Sequence, residues 1–210
     1  MIRKRYQGNI NDKERSKQKL IDAVGKVLRT KGYIGLTATN IAKAAGLSRR
    51  LITMYFGSVD ELVETYVRNK DFWLAASGNA AEMIASNKGE DTKKIIEYLL
   101  QNQMDNFYDN PEMQKLILWE ISKKTKIMYE VCEEREHLGS KVFELTDKEL
   151  QGRNIDIRAV TALLVAGIYY MVLHAKSTDT TFCEIDINQP EGMQRIKNAI
   201  SLILEHTYKN

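Results

Sequence analysis

Thr37-Ala38-Thr39-Asn40-Ile41-Ala42-Lys43-Ala44-Ala45-Gly46-Leu47-Ser48-Arg49-Arg50-Leu51-Ile52-Thr53-Met54-Tyr55-Phe56 decides how the rest of the chain is read. Thr37 is placed to cap a short helix whose inner face is Ile41, Ala42 and Ala45, and Gly46 follows where a left-handed C-terminal residue costs least. Leu47 is positioned to plug the corner and Ser48 to cap a second short helix, in which Ile52 and Phe56 form an i, i+4 apolar stripe. The pattern is that of a helix-turn-helix, whose second helix enters the major groove of DNA. The residues expected to face DNA are Thr37, Thr39, Ser48, Arg49, Arg50, Thr53, Met54 and Tyr55. Two adjacent arginines near the start of that helix suit phosphate oxygens or guanine edges. An αα-corner with a glycine turn also occurs in proteins that never touch nucleic acid, so the motif needs support from elsewhere.

Charge supplies some of it. Residues 1–70 hold 15 Lys+Arg against 6 Asp+Glu, a net +9, whereas residues 71–210 hold 16 against 22, a net −6. A positive charge concentrated on the segment that carries the motif is the footprint expected of a phosphate-binding surface. The net +3 of the whole chain hides this division.

The run Gly35 to Ser48, followed by Tyr55-Phe56-Gly57-Ser58 and Asp60-Glu61-Leu62, resembles the N-terminal DNA-binding domain of the TetR family. The resemblance spans roughly residues 15 to 65, and beyond it only length and layout agree. It implies an all-α, dimeric bacterial repressor with a variable C-terminal domain that binds a ligand. Three positions depart from the family pattern. Thr53 stands where the family usually has a phosphate-gripping tyrosine, Val59 where a lysine usually opens the fourth helix, and Arg50 where a small or turn-like residue is usual. The departures weaken two common backbone contacts, for which Arg49, Arg50 and the N-terminal basic residues are the available compensation.

Composition sets the remaining bounds. A chain of 210 residues with 43% hydrophobic and 28% charged content is long enough for a real core and ordinary for a globular protein. Pro111 and Pro190 are its only prolines, and both suit the start of a helix. Cys132 and Cys183 are isolated and His137, His174 and His206 are scattered, so no metal spacing or disulfide framework is visible; a redox-sensing thiol is the one alternative. The polar N-terminus is not a signal peptide, and a reducing cytoplasm is the expected location. Ala159 to Ala175 is nearly all apolar but shorter than the roughly 18–20 residues that a bilayer crossing needs, and it includes Thr161 and His174. The expectation is a core or interface helix and no membrane partner.

Along the chain, Arg3, Lys4 and Arg5 form a basic arm, either a solvated tail or a reach toward phosphates or the minor groove. Leu20, Ile21, Val24, Val27 and Leu28 recur at helical spacing from about Asp12 to Lys31, Gly32 ends that helix, and Tyr33 is expected in the small domain's core. Ser58 and Glu61 spell a capping box before a long helix that runs toward Trp73. Ser77 to Asn87 is alanine-rich, and Asn87-Lys88-Gly89 reads as a turn. Two or three helices fill residues 91–150, with Asp109-Asn110-Pro111 as a break. Another helix runs from about Asp156 to Lys176, Thr178 to Asn188 is a loop, and a last helix opens at Pro190.

The expected architecture is therefore all-α, with a three-helix helix-turn-helix domain at 1–57 and a larger helical effector-binding and dimerisation domain at 58–210. Trp73, Met104, Phe107, Trp119, Glu120 and Tyr170 are the candidate ligand-binding residues, being the aromatic, Met and acidic material for an apolar site between helices. Val160, Leu164, Gly167, Met171, Met193, Ile196, Ile200 and Ile203 are the candidate dimer seam, because the last two helices carry apolar residues three and four apart. The alternative is that both helices cover the subunit's own core.

No glycine-rich phosphate loop, paired metal ligands or nucleophile–base set is present, so the sequence nominates no catalytic residue, metal or cofactor. The function expected is a homodimeric, sequence-specific regulator of transcription, most simply a repressor. It would bind an operator built as an inverted repeat in double-stranded DNA and be released by a small, largely apolar effector. The alternative is a DNA-bound protein-interaction factor of the same fold with no small-molecule effector.

Overall fold

Helix-forming runs with few breakers produce a chain that is helical almost throughout. The computed structural model describes residues 8–69, 80–87 and 89–209. In order these form α1 (Gly8–Lys31), a 3-10 turn (Tyr33–Gly35), α2 (Ala38–Ala45), α3 (Arg50–Phe56), α4 (Val59–Asn69), α5 (Ala80–Ser86), α6 (Thr92–Asp109), α7 (Pro111–Ser122), α8 (Lys126–Glu149), α9 (Ile157–Thr178) and α10 (Pro190–Lys209). The fold is all-α as expected, and the only β feature among the described residues is one isolated bridge between Phe182 and Ile185. Both prolines open helices, where a missing N–H costs nothing. The basic arm, Trp73 and Lys88 lie outside the described residues, as does the continuation of α4 past Asn69.

The chain divides into two units: Met1–Asp71 with Lys115–Ile127, and Phe72–Gln114 with Met128–Asn210. In the first, α1 packs on α2 and α4, and α3 packs on α4. Its core is Leu20, Val24 and Leu28 of α1, Ile41 of α2, Ile52 of α3 and Leu62 and Tyr66 of α4, each at most 1% exposed. Tyr33 and the Trp119 ring stack in parallel, with centroids 6.0 Å apart, so the segment 115–127 is seated on the turn that follows α1.

In the second unit α6 is the central helix, packed on α5, α9 and α10. Its Thr92 is completely buried. The Glu149 carboxylate at the end of α8 accepts hydrogen bonds from the Thr92 N–H (2.7 Å) and hydroxyl (2.5 Å), and that hydroxyl also lies 2.9 Å from the Tyr208 hydroxyl. Three helix ends are joined there through one carboxylate, which satisfies an N–H that α6 leaves unpaired. In the first turn of α10, Gly192 is pressed so closely on the carbonyl of Asp186, in the α9–α10 connection, that a Cβ would lie 1.9 Å from that oxygen, so no larger residue fits without moving backbone.

α9 occupies nearly the range expected of it, about Asp156 to Lys176, and so extends past the apolar run Ala159 to Ala175. It runs for 22 residues, about 33 Å at 1.5 Å per residue, because its helical ends include Ile157, Arg158, Lys176 and Thr178 beyond the apolar run. By length and composition it is able to cross a membrane, so shortness does not argue against a crossing, and only 17% of its most apolar window is buried within the chain.

Candidate nucleic-acid interface

The two short helices of the first unit are held by local chemistry. Thr37 is extended (φ −115°, ψ 153°) and its hydroxyl accepts from the Asn40 N–H at 3.3 Å, capping α2. At the other end Gly46 is left-handed (φ 66°), with its N–H donating to the Lys43 carbonyl (3.2 Å) and the Leu47 N–H to the Ala42 carbonyl (3.0 Å). This is a Schellman ending, and a side chain at position 46 would carry the usual cost of a positive φ. Asn40 was not singled out from sequence, yet it ties three elements together. Its Nδ2 donates to the Gly35 carbonyl (2.9 Å) and its Oδ1 accepts from Lys31 Nζ (2.8 Å), fixing α2 against the end of α1.

The second helix starts as Arg50 donates its N–H to the Ser48 hydroxyl at 3.3 Å, and Leu51 donates to the Ser48 carbonyl at 3.1 Å. Ser48 thus orders the first turn from two residues ahead, while Arg49, the residue flanking the helix, makes no side-chain cap. Ile52 turns inward at 1% exposure. Arg49, Arg50, Thr53 and Met54 are exposed, as are Thr37 and Thr39 on α2, whereas Tyr55 is half-buried. Arg49 Nη1 lies 3.4 Å from the Thr39 hydroxyl, and Lys13 Nζ stands 5.9 Å from the Tyr55 ring centroid. Ser58 caps α4 by accepting from the Glu61 N–H at 3.1 Å, one half of the capping box. The outward surface of α2 and α3 is therefore polar and cationic over an apolar underside, the arrangement a groove-reading helix needs.

Electrostatics agree with this geometry. The unit that carries the helix pair holds 19 Lys+Arg against 8 Asp+Glu, a net +11, and the other unit holds 12 against 20, a net −8. Grouping residues 115–127 with the first unit sharpens the division read from sequence.

The candidate ligand residues that are described belong to both units. Met104 and Phe107 lie on α6 at 0% exposure, and Phe107 meets the Tyr169 ring edge-on at 4.9 Å. Tyr170, one residue on and about 100° round the helix, is 54% exposed and stacks instead with His174 and Phe182. Trp119 belongs to the first unit, where its buried indole N–H has no hydrogen-bond partner among the described residues, and Glu120 beside it is half-buried. Met171, His174, Ala175, Thr180, Phe182, Ile185 and Ile187 line a small cleft.

The candidate dimer residues divide between two faces. Ile200 is 2% exposed and packs inside its own unit with Leu204, while Ile203 is 43% exposed. Val160, Leu164, Gly167, Met171, Met193 and Ile196 are half-buried. Leu163 (75%) on α9 and Leu202 (54%) on α10 are more exposed than any residue named from the sequence on those two helices except Tyr170, itself 54% exposed. A Cβ on Gly167 would meet nothing within 4 Å among the described residues, so none of them packs against that glycine. Neither Cys132 nor Cys183 is in a disulfide, and no three His, Cys, Asp or Glu side chains group as a metal site among the described residues.

Residues 20–66 match the family model for bacterial regulatory proteins, tetR family. No curated protein matches the chain. Solved structures do match it. The Bacillus subtilis transcriptional regulator FadR in complex with stearoyl-CoA has a TM-score of 0.65 at 15% identity, covering 89% of this chain and 96% of that one. The fatty acid degradation regulator FadR of Bacillus halodurans has a TM-score of 0.63 at 17% identity, again over 89% and 96%. A TetR-like transcriptional regulator of a Rhodococcus species has a TM-score of 0.63 at 14% identity over 93% and 96%. These likenesses share the fold, and the matched model covers the two capped helices described above: residues 20–66 form a helix-turn-helix domain of the type found in bacterial regulatory proteins of the tetR family.

Proposed function

We propose that the chain is a homodimeric repressor that binds an inverted repeat in double-stranded DNA through α3 and is released by a small, largely apolar ligand. One observation carries the proposal: α3 buries Ile52 and exposes Arg49, Arg50, Thr53 and Met54 from a unit of net charge +11. The dimer rests on a second. Ala159, Ala162, Leu163, Ala166 and Tyr170 form an exposed stripe along α9, and Ala199, Leu202 and Ile203 an exposed patch on α10. Apolar surface of this kind marks an interface. A second copy is proposed to cover both helices in a four-helix seam, with no bilayer involved. Two recognition helices would then stand about 34–36 Å apart, one turn of DNA.

A ligand releases DNA only if it binds the conformation that does not fit the operator more tightly. The proposed route is α4, which packs on α3 and would carry a tilt to it. The stearoyl-CoA held by the Bacillus subtilis regulator suggests the first class to try, a long-chain acyl thioester. The second reading, a DNA-bound protein-interaction factor without an effector, is favoured by the complete burial of Met104 and Phe107. Both readings place the chain in the cytoplasm and give it no catalytic role.

Selection of random duplex DNA by the purified chain tests the proposal. The expected result is an enriched inverted repeat with half-sites about one helical turn apart, whose binding is weakened by stearoyl-CoA. Binding without sequence preference would overturn the repressor, and an enriched repeat indifferent to apolar ligands would favour the interaction factor.

A further inference from the structure

The helix-turn-helix does not account for all the positive charge of its unit. The segment Lys115–Ile127 is distant in sequence yet belongs to that unit, and it brings Lys115, Lys123, Lys124 and Lys126 against the single acid Glu120. Residues 123–125 form the non-helical turn between α7 and α8. Lys123, Lys124 and Lys126 are all exposed, and the ammonium groups of Lys123 and Lys124 enter no hydrogen bond or ion pair with the described residues. The turn is anchored from within: the Lys123 N–H donates to the Trp119 carbonyl at 3.0 Å, and the Trp119 ring stacks on Tyr33 at 6.0 Å. Tyr33 opens the short turn that ends at Thr37, the cap of α2 and a candidate DNA-facing residue. The basic turn is thus carried on the same body as α3, close in structure to the approach to α2.

From this placement we infer that the α7–α8 turn is a second DNA-contacting surface, with Lys123 and Lys124 meeting backbone phosphates that flank the operator half-site. The inference rests on the DNA-binding reading above and extends it beyond the helix-turn-helix. Lysine ammonium groups act here as mobile point charges, so they add affinity and salt dependence without sequence preference. They also supply contacts of the type that Thr53 and Val59 lack.

The test uses the full chain and the enriched duplex, either with about ten base pairs of flank on each side or trimmed to the half-sites, titrated over a series of salt concentrations. With the flanked duplex, Lys123→Gln with Lys124→Gln is expected to make the slope of log K against log salt shallower by about 2, since each phosphate contact contributes roughly 0.9, and to lower affinity on the order of tenfold. Sequence preference stays the same, trimming the flanks removes the difference, and Lys123→Arg with Lys124→Arg keeps the wild-type slope. Lys141→Gln with Lys148→Gln, which removes equal charge from the other unit, is the control. An unchanged slope in the Lys123/Lys124 variant, or an equal change in the control, overturns the inference while leaving the DNA-binding reading intact. If the wild type itself shows no binding, both fall.

Discussion

α3 and α9 are both exposed helices, and they are exposed in opposite ways. α3 has 7 residues and presents Arg50, Thr53 and Met54, with Arg49 flanking it, over a single buried isoleucine. α9 has 22 residues and presents Ala159, Ala162, Leu163, Ala166 and Tyr170. A cationic face keeps its hydration until a polyanion displaces its counterions, so its partner is DNA and its strength depends on salt. An apolar face costs free energy in water at all salt concentrations, about 25 cal/mol for each Å2 left uncovered, so its partner is another apolar surface. Exposure alone therefore does not define a site. The chemistry of the exposed atoms selects the partner.

The comparison breaks first at α9. Leu163→Glu places a charge on each side of the proposed seam and is expected to weaken dimerisation by several kcal/mol, leaving a folded monomer in sedimentation. A variant still dimeric at micromolar concentration would mean that the stripe faces something else. Arg49→Ala with Arg50→Ala removes two contacts worth about 1–3 kcal/mol each, so DNA affinity should fall on the order of a hundredfold with helicity unchanged. Undiminished affinity would take the recognition role from α3.

Gly192→Ala examines the scaffold that sets α10 beside α9. A Cβ there meets the Asp186 carbonyl, so a loss of about 2–3 kcal/mol in denaturant unfolding is expected. Tyr66 gives the corresponding test in the DNA-binding unit. Burial raises its hydroxyl to about 12, with Arg29 opposing and Asp22 adding to the rise. The fold favours the neutral phenol, so this stability is intact below the ordinary value of about 10 and is lost as pH rises through about 12. Tyr66→Phe should remove that part of the alkaline loss, on the order of 2 kcal/mol, in melts recorded from pH 9 to 12. The smallest effect has the most informative sign. With open space around it, Gly167→Ala should stabilise an isolated chain by up to about 1 kcal/mol, but in a dimer packed on that glycine it should weaken association.

Features set by neighbours in sequence were legible. Thr37, Gly46 and Ser58 occupy the caps expected of them, because a cap depends on a few consecutive residues. Features set by packing were not. A 3–4 alternation on α10 does not tell which side meets the subunit's own core: it joins Ile200, which is inside, to Ile203, which is outside, and leaves out the exposed Leu202. The same 100° ambiguity leaves open which of Tyr169 and Tyr170 turns inward, and it is Tyr169 that meets Phe107. Nothing near Trp119 in sequence signals its stack on Tyr33, a contact 86 residues away that makes the α7–α8 turn part of the DNA-binding unit. Asn40 gave no signal beyond being polar inside a helix, although it holds α2 to α1 through two hydrogen bonds.

Sedimentation of the chain with the selected duplex tests the pairing of a DNA-reading face with a self-associating face most directly. Two chains are expected on each inverted repeat, with a dimer that persists without DNA and dissociation of the DNA but not of the dimer as salt is raised. One chain per duplex, or a dimer that appears only on DNA and vanishes with salt, would contradict that pairing.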